Sequence, residues 1–168
     1  MYNNNIYKKK GDIYLWKKKK FLACGSIKKE EAIKLGERVS SNLEIVMHIS
    51  VMTYQEALNY LLKYYHLSEK EICDLPNDDY SLPARQLERY KNGETVNFSK
   101  KVVIAICIAF KVPFNISEVL LRLAGIALTL SDEDMFYKTI LCEYYMKSLT
   151  EVNEMLIAND FDALTSKK

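Results

Sequence analysis

LPARQLERYKNGE, residues 82–94, reads as a short helix that stops at Asn92-Gly93. On a 3.6-residue period Leu87 and Tyr90 share one face, while Arg85 and Arg89, four apart, and Gln86 fall on another. Leu87 and Tyr90 would anchor such a helix and leave the polar trio to reach outward. Arg can hold guanine O6 and N7 with two hydrogen bonds, and Gln can do the same with adenine N6 and N7, so these are the side chains that major-groove readout uses. The same pattern also describes a solvated amphipathic helix, and the flanking elements decide between the two.

Working outward, Thr53-Tyr54-Gln55-Glu56 is a capping box, with Leu58, Leu61, Leu62 and Tyr65 as the apolar stripe that follows. A second box, Ser68-Glu69-Lys70-Glu71, opens a short helix with Ile72 and Leu75 as its apolar pair and Pro76 as its stop. A polar connector at 77–81 leads to Pro83, which suits a first helical turn. Downstream, Ser99 is positioned to cap a helix whose run at 102–110 is apolar on every side. Its β-branched content would also fit a strand, but length, cap and setting favour a buried central helix. A further helix is expected at 117–124 with Gly125 as its C-terminal stop. Ser131 starts another that runs to Tyr145, and Leu149-Thr150 begins the last, with Val152, Met155 and Leu156 as its apolar positions. Ser166-Lys167-Lys168 is expected to fray.

Upstream, residues 27–41 look helical, with Ile27, Ala32, Ile33, Leu35 and Val39 as apolar positions. Residues 43–51, rich in β-branched side chains, read as an extended connector or short strand. Residues 1–26 carry lysines at 8–10 and 17–20 around Ile13-Tyr14-Leu15-Trp16. They read either as a basic arm or as a short hairpin turning near Gly11. The organisation is therefore a basic N-terminal segment (1–26), a helix and connector (27–52), a helical domain (53–125) and a C-terminal helical extension (126–168).

The 168 residues are 49% hydrophobic and 27% charged, a globular composition with room for a sizeable core. Only 5 Gly and 3 Pro leave few tight turns, which favours an all-α fold over a sandwich of short strands. The net charge of +2 hides a gradient. Residues 1–52 hold 11 basic against 5 acidic side chains, residues 53–125 hold 9 of each, and residues 126–168 hold 4 against 8. Cys24, Cys73, Cys107 and Cys142 are scattered and read as reduced, small core residues of a cytoplasmic protein. No CxxC pair exists and His48 and His66 are isolated, so neither a metal nor another cofactor is expected. No apolar run approaches membrane-spanning length. Phe21-Leu22-Ala23-Cys24 resembles the end of a lipoprotein signal, but four lysines stand where its apolar region belongs, and export is not expected.

Five consecutive helices over 53–125, with a short second helix and a third ending in RYKNGE, resemble the Cro-repressor-like, or Xre-type, helix-turn-helix family. The segments LRLAGIALTL and YKTILCEYYMKSLTEVNEMLIANDF look like the C-terminal extension of a bacterial subgroup of that family. The resemblance implies a lambda-repressor-like five-helix domain in which the second helix contacts phosphates and the third enters the major groove, two copies reading two half-sites. Arg85, Gln86 and Arg89 would then face bases, and Ser68, Lys70, Lys91 and Asn92 would contact the backbone. The sequence departs from the family at Glu69, where Gln is common, and in a turn about four residues longer, Asn77-Asp78-Asp79-Tyr80. Acids at those places would repel phosphate.

The function expected is that of a sequence-specific, homodimeric regulator of transcription acting on double-stranded DNA. The alternative is an interaction or antitoxin-like module with little DNA affinity, docking a protein through the C-terminal helices. No enzyme is expected, since GxxxxGK[ST], GxSxG and HExxH are all missing. Asp132 and Asp134 read as charges favoured by a helix dipole. Tyr60, Tyr64, Tyr65, Tyr144 and Tyr145 sit in helical patterns, where packing rather than base stacking is their expected use.

Overall fold

The structure, a computed structural model, describes residues 29–73 and 78–167. The arm or hairpin expected at 1–26, with Cys24, and residues 74–77, with Leu75, Pro76 and Asn77, lie outside the described residues. Among those described there are eight helices: α1 (Lys29–Ile49), α2 (Tyr54–Tyr64), α3 (Glu69–Cys73), α4 (Ala84–Lys91), α5 (Lys100–Ala109), α6 (Phe114–Leu123), α7 (Asp132–Glu143) and α8 (Leu149–Ile157). The described chain is all-α, and its pairing of extended backbone is confined to an antiparallel bridge between Tyr80 and Lys167. Two compact units divide at Ser40/Ser41. The described part of the first is the N-terminal stretch of α1, where Ile33, Leu35 and Val39 are exposed. The second unit is Ser41–Lys168.

Of the expected extended connector at 43–51, residues 43–49 are instead the C-terminal part of α1, and 50–51 turn out of it. Ile45 and Ile49, four apart, are buried in the core, while Leu43 and Met47 point to solvent. That one-sided burial at helical spacing outweighs the modest β-preference of Ile and Val, which depends on a neighbouring strand to be realised.

Helix α5 is the axis of the core. Residues 102–108 are all buried, and α6, α7 and α8 pack against it. Each Val or Ile of that run gains roughly 1.5–3 kcal/mol on burial, enough to keep a β-branched run helical. Cys107 is wholly enclosed there and its thiol is pushed up to about 12 by burial, so it behaves as a small apolar residue. Cys73 is half-buried and Cys142 exposed, contrary to the expectation of core positions for both. On α7, Asp134 is buried and ion-paired to Lys100 of α5 at 2.7 Å, with Thr129 donating from its amide at 2.8 Å and its hydroxyl at 2.7 Å. This carboxylate, read from sequence as a helix-dipole charge, fastens the extension to the central helix.

Both capping boxes expected from sequence form, and Ser148 with Glu151 makes a third at α8. Ser99 precedes α5 without a side-chain cap, and α6 starts at Phe114 behind Pro113, three residues earlier than expected. Five helix ends share one device, a residue at positive φ followed by an amide that reaches back five residues. Gly93 and Gly125 do this at φ +69, and His66, Lys111 and Asp160 do it at φ 53, 52 and 61. The closing bonds are Leu67 to Leu62, Glu94 to Arg89, Val112 to Cys107, Ile126 to Leu121 and Phe161 to Leu156, at 2.9–3.2 Å.

Candidate nucleic-acid interface

Helix α4 is eight residues long, too short to hold its conformation without tertiary support. That support comes through Leu87 and Tyr90, both about 1% exposed, which seat it on α2 and α3. The Tyr90 ring lies edge-on to Tyr54 at 5.9 Å and against Phe98 at 4.9 Å. Its hydroxyl oxygen accepts from the Ser99 amide at 2.8 Å, which ties α4 to the start of α5. At the C-terminal end Asn59 of α2 donates to the Lys91 carbonyl at 3.0 Å, and Gly93 closes the helix in left-handed conformation.

The seven residues assigned to DNA from sequence divide into two sets. Arg85 and Arg89 are exposed on the face opposite Leu87 and Tyr90, one turn apart, and neither is ion-paired among the described residues. Lys70 and Asn92 are likewise exposed, the latter with its amide on Glu94 at 3.3 Å. The other three are engaged. Gln86 is half-buried and donates from Nε2 to the Tyr90 hydroxyl at 2.8 Å. Lys91 is ion-paired to Glu69 at the start of α3. The Ser68 hydroxyl is held by Glu71 within the α3 capping box, which keeps the Glu71 carboxyl below its usual range.

The acidic turn before α4 has an occupation that no local sequence pattern announces. Asp78 is only 9% exposed, and its carboxylate accepts from the first amides of α8, Thr150 at 2.7 Å and Leu149 at 3.4 Å. The Asp79 amide donates to Thr150 Oγ1 at 2.8 Å, and the Asp79 carboxylate lies 3.9 Å from Lys167 Nζ. Tyr80 then bridges to Lys167 and buries its ring, so the tail expected to fray is tied down at that residue. A carboxylate at a helix N-terminus is favoured by the unpaired amides and the dipole there.

Among the described residues no three His, Cys, Asp or Glu side chains gather as metal ligands, and no described helix is long and apolar enough to cross a membrane. Comparison of the chain with protein-family models, with curated proteins and with solved structures finds no match in any of the three.

Proposed function

We propose that this chain is a DNA-binding transcriptional regulator of helix-turn-helix type that acts in the cytoplasm as a homodimer on double-stranded DNA. The observation that carries the reading is the pair Arg85 and Arg89, exposed and unpaired among the described residues on a helix fixed from behind by Leu87 and Tyr90. Two exposed guanidinium side chains one turn apart on a seated helix have the donor chemistry that reads guanine edges in a major groove. Lys70, on the preceding short helix, adds a phosphate contact. Salt-titrated binding to mixed-sequence duplex DNA tests the reading. Affinity should fall linearly in log–log coordinates as phosphate contacts release counterions.

A second reading draws on the Glu69–Lys91 ion pair and the Gln86–Tyr90 bond, which withdraw two of the polar side chains from the candidate interface. In it the same architecture serves as a protein-interaction or antitoxin-like module with little DNA affinity. Its signature is partner binding that survives high salt, with no salt-dependent DNA binding beneath it.

A further inference from the structure

We infer that Asp78 is a positioning residue, and that through it the C-terminal extension sets how α4 is presented; this rests on the DNA reading proposed above. Three observations converge on the same six residues. Asp78 accepts from the Leu149 and Thr150 amides, the Asp79 amide donates to Thr150 Oγ1, and Tyr80 bridges to Lys167. All of these anchors lie in the last twenty residues of the chain, on or beyond the start of α8. From Tyr80 only three residues separate the anchor from Ala84, the first residue of α4, and two of the side chains in that stretch, Tyr80 and Leu82, are buried in the core. A chain so short and so fixed at both ends cannot absorb a movement of its origin by loop flexing.

The energetic asymmetry strengthens the assignment. Asp78 sits in a turn, yet it is buried, and a buried carboxylate is tolerated where amides satisfy it. Here the amides belong to a helix more than seventy residues away in sequence, so the bond holds only while α8 is docked. Leu149, Val152 and Leu156 provide that docking by burial in the same core that holds Tyr80, Leu82 and Leu87. The angle of Arg85 and Arg89 is thereby fixed by the extension as well as by α2 and α3. A ligand or protein that displaced the start of α8 would release the turn and misalign the pair.

The test uses the full chain with Asp78→Ala, Asp78→Asn and Thr150→Val. Each is carried through selection from a randomised duplex pool and through amide hydrogen exchange. Losing a charged acceptor should lower the ratio of specific to non-specific affinity by about tenfold in Asp78→Ala. Asp78→Asn keeps one acceptor oxygen and should recover most of that ratio. Thr150→Val removes only the Asp79 contact and should shift it less, in the same direction. Non-specific affinity should not fall in any variant, and the loss of the Asp78 charge can only raise it, whereas a general loss of folding would lower it. Should Asp78→Ala fail to fold, Asp78→Asn and Thr150→Val carry the same comparison. An unaltered motif and ratio in the variants, or equal loss on every sequence, overturns the inference. Should the unmodified chain select no motif, the DNA reading fails by itself. Exchange then decides: faster exchange at 84–91 in Asp78→Ala, slowed again in Asp78→Asn, supports the tether, and unchanged exchange refutes it.

Discussion

Arg89 is exposed one turn beyond Arg85, and its guanidinium has no carboxylate partner among the described residues. Replacing Arg89 by Ala should cost about 1–3 kcal/mol of specific binding and relax preference at one base pair per half-site, measured by competition between single-base variants of the selected site. An equal loss on every variant would assign Arg89 to phosphate alone. His66 ends α2 at φ 53, a conformation that costs a side chain with a Cβ but not Gly. His66→Gly should therefore stabilise the protein by about 0.5–1 kcal/mol in urea unfolding, whereas Gly93→Ala should destabilise it. Asp134 supplies the pH dependence. Burial would raise its carboxyl, but the bonds from Lys100 and Thr129 outweigh that and hold it at about 2. A folded value below the unfolded one of 3.8 means the contribution is complete above that pH and is lost as pH falls through about 2. Asp134→Asn should be less stable by about 1–2 kcal/mol at neutral pH, with the gap closing between pH 4 and 2.

At the scale of elements, the α3–α4 pair is held by an ion pair that runs against its proposed task. Glu69→Gln removes the acid from the start of α3 and frees Lys91. Non-specific affinity should rise and the log–log salt slope should steepen by about one, the yield of one further phosphate contact. No change in slope would show that Lys91 lies away from the duplex. Much of the helical pattern was legible because it is written locally. The Thr53 and Ser68 boxes, the Leu58, Leu61 and Leu62 stripe and the all-round apolar run of α5 each need only neighbours in sequence. The α1 continuation was not legible, because Ile45 and Ile49 become a helical face only against a core assembled from distant segments. Helix ends at His66 and Asp160 were hidden for a different reason. Their left-handed residues are not glycine, so composition gives no stop signal where the backbone has one.

For the whole molecule, the division drawn from sequence at residue 125 separates segments that share one core. Leu149, Val152 and Leu156 are buried with Leu87, Tyr90 and the α5 run. The candidate site was correspondingly half legible. Arg85 and Arg89 are exposed as a one-dimensional pattern predicts, and Gln86 turns to Tyr90 one turn along the same helix, while Lys91 and Asp78 find partners 22 and 71 or more residues away, which no periodicity reports. Charge is the remaining lever at this scale. Replacing the seven lysines at 8–10 and 17–20 by Gln should weaken binding to all duplexes and flatten the salt slope without changing any base preference. An unchanged slope would take those lysines out of the interface. The most direct measurement is selection of bound duplexes from a randomised pool at several salt concentrations, followed by sequencing. The account predicts a motif of two half-sites, their centres about one helical turn apart, with guanine at positions lost on changing Arg85 or Arg89. Recovery of unselected sequence even at low salt would contradict it.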